Sequence, residues 1–186
     1  MSSFSIILFF HIVGALGVSV ALGLEWVGMS HIRKTTIPQE IRAILKIVQS
    51  TTGFGFVSML STVITGIYMV LAAVGWAPWL LVVIGALLLV IVLTRVLTAP
   101  RMAAIGQALD MDKGSVSTTF SNLLKDAILW ISIQTRMAIV LGIIFLKIAR
   151  PGLGGALLTI GVAIALGIAS ALSRFRAVRA REASAG

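Results

Sequence analysis

No cysteine occurs in this chain. That absence removes disulfides, thiolate metal sites, iron–sulfur clusters and dithiol redox chemistry together. Charge is nearly as scarce: charged residues make up 11% of the composition, with six carboxylates against fifteen Lys and Arg. There is no Ser–His–Asp set, no HExxH, no phosphate loop and no paired carboxylate, and Asp110 and Asp112 fall in a turn-like stretch. Soluble-type enzyme chemistry is therefore poorly supported. A membrane enzyme using His11 or Glu25 as an acid–base group stays open, though no residue points to a substrate.

What the chain does have is apolar length. Hydrophobic residues make up 59% of its 186 positions, and the mean hydropathy is +1.09. Crossing a hydrocarbon core of about 30 Å takes roughly 20 mostly apolar residues in a helix. Five stretches qualify: 4–29, 52–74, 78–97, 127–148 and 153–175. Backbone groups in lipid must be satisfied internally, and continuous runs of Leu, Ile, Val, Ala and Gly, rather than alternating ten-residue strands, favour helices over a barrel. The expected fold class is all-α: a polytopic transmembrane bundle of five spans forming a single membrane domain over residues 1–186. The first stretch lacks a preceding basic residue and an evident cleavage site, so it is expected to be a retained helix rather than a signal peptide.

The formal charge of +9 suggests a nucleic-acid partner, but its distribution does not. Arg33, Lys34, Arg42 and Lys46 follow the first span, and Arg174, Arg176, Arg179 and Arg181 follow the fifth. Flanking cations of this kind obey the positive-inside rule and attract anionic lipid headgroups. Membrane lipids, not nucleic acid, are the expected partners, in a bacterial cytoplasmic membrane. The uncharged connection 75–79 is then external and the N-terminus outside, with the C-terminus cytoplasmic; Lys147 and Arg150 run against this layout. Trp76 and Trp79 are expected at the outer interface, Trp26 and Trp130 at the inner one.

Two connections carry their own signals. Pro38 opens a helical pattern with Ile41, Ile44, Leu45 and Val48 on one face, expected as an interfacial helix over 38–49. Residues 98–125 are expected to hold short helical pieces around a turn at 112–115, with Ser121 or Asn122 capping the fourth span. Small residues line three spans: Thr51, Gly55, Ser58, Thr62 and Thr65; Gly161, Ala165 and Ala169 beside Gly167 and Ala171; and Gly17 with Ala21. Such stripes serve ordinary helix packing, a lined cavity or a homodimer face.

Ionisable groups within spans usually face protein or water. Three stand out. His11 and Glu25 share a face of the first span, roughly 21 Å apart along the axis. Arg136 lies about ten residues into the fourth, near Ser132, Gln134 and Thr135. Glu25 and Arg136 read as a buried ion pair or as a charged site; Arg95 is near enough to a span end to snorkel. His11 can ligate haem iron or another metal, relay protons, or hydrogen-bond a neighbouring helix. His31 lies about 30 Å away if the helix is continuous and cannot share a metal with it in one chain. Met69, an open sixth position or His11 of a second copy are the remaining geometric options.

The string Leu8-Phe9-Phe10-His11-Ile12-Val13-Gly14-Ala15, continuing to Gly23 and a basic loop, and then Thr65-Gly66-Ile67-Tyr68, resembles the opening of bacterial copper-resistance-D-type membrane domains and related small integral membrane proteins. The resemblance covers residues 4–70 and implies a histidine-bearing bundle linked to copper or redox chemistry. Met29, Met59, Met69, Met102, Met111 and Met137 are scattered, unlike the clusters copper handling uses.

Three functions follow. The first is a redox or sensor bundle binding b-type haem or a metal through His11, with Arg136 or Arg150 near the propionates. The second is a small-solute or ion transporter or channel with Glu25 and Arg136 in its path, beside Thr62 and the second span's hydroxyl stripe. The third is a non-catalytic membrane scaffold.

Overall fold

The computed structural model describes residues 2–35, 37–111 and 118–184, and all the regular structure among them is helical. Five helical stretches there are long and apolar enough to cross a membrane: Ser3–Ile32, Pro38–Ala72, Pro78–Leu109, Asn122–Ala149 and Leu153–Ser173. Their outward surface is lined by large apolar side chains, among them Phe9, Val57, Leu71, Leu141 and Leu166, all more than half exposed. So much contiguous apolar surface is incompatible with water. The chain is an integral membrane protein of helical type. It groups into two compact units, Met1–Ala77 and Pro78–Gly186.

The first unit is a helical hairpin. Helix α1 (Ser3–Ile32) begins with Ser2 as its cap, the hydroxyl accepting from the Ser5 amide. Helix α2 (Pro38–Met69) starts where Pro38 fixes the helical φ and forces Ile37 into extended backbone. It closes through a π-helical turn, Val70–Val74, ending at Gly75 with φ 71°. The segment expected as a separate interfacial helix is continuous with the second span. The reason lies in the buried face: Ile41, Leu45 and Val48 lead without a break into Thr51 and Ser58 on the same side.

Small residues set the closeness of this hairpin, as the second-span stripe implies. A Cβ on Gly14 would lie 2.5 Å from Thr62 Oγ1 and 2.8 Å from the Ser58 carbonyl oxygen, and one on Gly17 would collide with the Ser58 hydroxyl. Gly55 meets Ala21 in the same way. Close backbone approach replaces the hydrophobic effect, which lipid cannot supply between helices.

The second unit comprises α3 (Pro78–Val92), a π-helical stretch Leu93–Thr98, α4 (Ala99–Met111), α5 (Thr118–Leu124), α6 (Ala127–Ala149) and α7 (Leu153–Ser184). The third span does not stop at Leu97 as expected. Pro100 lacks an N–H and crowds the carbonyl four residues back, but the wider π register just before it absorbs that misfit and the helix runs on to Met111. The turn expected at 112–115 lies outside the described residues. The cap of α6 is Asp126, not Ser121 or Asn122: its carboxylate accepts from the Ile128 amide at 2.8 Å and pairs with Arg101 at 2.6 Å. The apolar run begins just after Asp126, so it supplies the orphan amide's acceptor where one is needed. Two of the tryptophans expected at the interfaces are buried against protein: Trp79 packs in the core, and Trp130 donates its indole N–H to the Leu124 carbonyl at 3.1 Å. Trp76 is 70% exposed.

At its far end α6 stops where Arg150 adopts a left-handed conformation, φ 44°, directly before Pro151. Helix α7 buries Ala156, Ile160, Ala163, Gly167 and Ala171, with Ile160 and Ala163 against Gly142 of α6 and Gly167 against Thr135. The expected stripe Gly161, Ala165 and Ala169 is on the opposite, exposed face; only Gly167 and Ala171 of that reading are packed. Gly167 lets α7 touch backbone, since a Cβ there would stand 2.6 Å from Thr135 Cα.

The hairpin packing yields a direct expectation. Gly14→Val should destabilise the protein by about 1–3 kcal/mol through overpacking. Gly23→Val, where nothing lies within 4 Å, should be near neutral in the same denaturant titration in detergent.

Candidate functional site

Two intramembrane polar centres emerge, one in each unit. In the first, α1 presents His11, 9% exposed, to the later turns of α2. His11 Nδ1 lies 3.0 Å from the Thr62 carbonyl oxygen and 3.0 Å from Thr65 Oγ1. A carbonyl can only accept. The Thr65 hydroxyl already donates to the Ser61 carbonyl at 2.6 Å, so it too faces His11 as an acceptor. Nδ1 therefore carries the proton, and in the neutral ring Nε2 holds the lone pair. Gly66 makes room: a Cβ there would stand 3.2 Å from His11 Cε1. The structure thus brings His11 together with Thr62, a residue singled out from sequence, and adds Thr65 and Gly66 as the elements that fix the ring.

In the second unit, α6 carries Arg136, 3% exposed, against the π-helical stretch. Arg136 Nη1 donates to Thr94 Oγ1 at 3.2 Å, and Thr94 donates in turn to the Val90 carbonyl at 2.7 Å. One turn before Arg136, the Ser132 hydroxyl lies 2.9 Å from Thr98 Oγ1 and 3.2 Å from the Leu93 carbonyl oxygen. Leu93 lies in the π-helical stretch, and its carbonyl accepts the Ser132 hydroxyl through a lone pair beyond the one the backbone uses.

Hydrogen counting shows what this cluster can do. Thr94 spends its hydrogen on Val90 and its acceptor site on Arg136. Ser132 and Thr98 share a bond, with a backbone carbonyl as the further acceptor. These hydroxyls bind one another and the backbone, which ties the π-helical stretch to α6 and gives the buried guanidinium polar company. Thr94 and Thr98 were not anticipated from sequence; two threonines four apart, flanking Arg95 in an apolar run, were the available signal. Arg95 itself is exposed, as snorkelling requires.

The other anticipated residues are placed as follows. Glu25 is half-buried on α1 in the first unit, whereas Arg136 belongs to the second. Gln134 is half-buried on α6 and lines a groove against α7, away from Arg136. Among the described residues no three His, Cys, Asp or Glu side chains are placed to hold a metal ion together. No family model, curated protein or solved structure matches the chain.

The Thr98–Ser132 contact should be measurable. In a double-mutant cycle, Thr98→Val and Ser132→Ala should show a coupling of about 0.5–1.7 kcal/mol, the range for interhelical hydrogen bonds in membranes. Zero coupling would mean that the hydroxyls do not bond each other.

Proposed function

We propose that this integral membrane protein is a cofactor-binding redox or sensor protein in which His11 is an axial ligand to b-type haem. The observation that carries this reading is the Nδ1 bond to the Thr62 carbonyl, because it fixes the ring and makes Nε2 the lone-pair nitrogen. Ligating histidines characteristically donate their other N–H to a carbonyl or carboxylate, which raises ligand basicity. A haem needs only one or two axial side chains, which suits a site with a single histidine better than a multi-ligand metal centre does. Met69, one turn beyond Thr65 on α2, is the chain's own candidate for a second axial position; His11 of a second copy is the alternative.

The haem would supply one-electron or gas-sensing chemistry. The protein would hold the ligand ring, set its tautomer and keep the site in an apolar surround. In the same reading the N-terminus is outside and the C-terminus cytoplasmic, supported by the basic residues of the first and third connections and the C-terminal tail. The Arg136 cluster lends transport no comparable support, because its hydroxyls are engaged with one another and with backbone.

The test is the absorption spectrum of the full chain purified in detergent after expression with a haem precursor. A Soret band is expected, lost in His11→Gly and regained when imidazole is added to that variant. A colourless wild-type protein that also fails to take up added hemin saturably would contradict the proposal.

A further inference from the structure

Between α6 and α7, on the side of their contact that faces outward, lies a groove of about 450 Å³. Its walls are mostly apolar, with Met137, Leu141, Phe145, Val162 and Leu166 among them, and no charged side chain lines it. Leu141, Phe145 and Leu166 are each more than half exposed, so the groove opens laterally. The close approach of the two helices at Gly142 and Ala163 forms its floor.

One residue in it does not fit an inert furrow. Gln134 lines the groove, is only half-buried, and makes no hydrogen bond with any described residue. It is the eighth residue of α6, about 10 Å along the axis from the start of that helix. A primary amide with two donors and an acceptor is costly in hydrocarbon unless something meets it. Ser170 shares that end of the groove, its hydroxyl hydrogen engaged with the Gly167 carbonyl at 2.9 Å but its oxygen lone pairs remaining. From Gln134 the groove follows α6 to Phe145, eleven residues or about 16 Å, and its walls there are apolar apart from Thr159, whose hydroxyl donates to the Gly155 carbonyl at 2.8 Å.

We infer that this groove binds an isoprenoid quinone, its head carbonyl accepting from the Gln134 amide and its tail lying along Leu141, Phe145, Val162 and Leu166. Three observations select this ligand class. The neutral lining offers nothing to a phosphate. Helix rise puts Gln134 about 10 Å inside α6, within a stretch long enough to span the hydrocarbon core. The polar end and the apolar length match a neutral carbonyl-bearing ring on a long tail. The inference uses residues of the second unit alone and stands or falls separately from haem ligation by His11.

The experiment is a titration of the full chain in detergent with decylubiquinone, read by quenching of tryptophan fluorescence; Trp130 is one turn from Gln134. Saturable quenching is expected, weakened about tenfold by Gln134→Leu through loss of the head-group bond, and weakened as well by Ala138→Phe, which fills the groove. An azido-quinone should label α6 or α7 of the wild-type chain, which keeps the test independent of how the variants fold. Quenching that rises without saturation, labelling outside α6 and α7, or equal competition by phosphatidylglycerol would overturn the proposal. So would a Gln134→Leu variant that binds quinone normally but no longer dimerises, since the amide would then be meeting its counterpart in a second copy.

Discussion

Hydrocarbon offers no hydrogen bonds, and this constraint decides where every polar atom in the spans can go. Backbone groups meet it by forming helices. Side chains meet it by finding acceptors on a neighbouring helix, so the few polar residues act as staples whose positions define which helices touch. His11 reaches the Thr62 carbonyl across the hairpin, and Ser132 reaches the Leu93 carbonyl across the second unit. Each acceptor is a helical carbonyl whose second lone pair remains for a side chain; in the second case it lies in the π-helical stretch Leu93–Thr98.

Shape follows the same logic. Interhelical bonds of about 3 Å require backbones close together, and close backbones require small residues at the crossing. Gly14, Gly17 and Gly66 allow His11 to lie against α2; Gly167 allows α7 to rest on the backbone of Thr135. The polar contacts and the glycines are therefore one arrangement, and neither makes sense without the other.

Much of this was legible in the chain. Apolar length alone indicates five membrane-crossing stretches, and the 3–4 spacing of Thr51, Gly55, Ser58, Thr62 and Thr65 marks the face of α2 that meets α1. His11 stands out because an imidazole in an apolar helix must have a partner. Other features depended on geometry that spacing does not encode. The stripe Gly161, Ala165, Ala169 shares an exposed side of α7, since period says which residues share a side and not what that side meets. The extension of the third span past Pro100 rests on a π register, which leaves no mark in composition. Ser121 and Asn122 are cap-type residues by identity, but Asp126 is the acid nearest the apolar run and has Arg101 to hold it, which only the structure reveals.

The two polar centres differ in kind. At the Arg136 cluster the hydroxyls of Thr94, Thr98 and Ser132 are engaged with one another and with backbone, a stabilising function, while Arg136 Nε and the Thr135 hydroxyl are buried without a hydrogen bond among the described residues. At His11 the bond that holds the ring also determines which nitrogen keeps a lone pair, so structural fixing and chemical readiness come from the same contact. Nitrogen-15 NMR of imidazole-labelled protein in micelles, free of added cofactor, tests this most directly. The two His11 ring nitrogens should resolve as a protonated Nδ1 and an unprotonated Nε2 in the neutral ring. A His11 found with its proton on Nε2 would mean that the bond to Thr62 is absent and that the ring is not held as described.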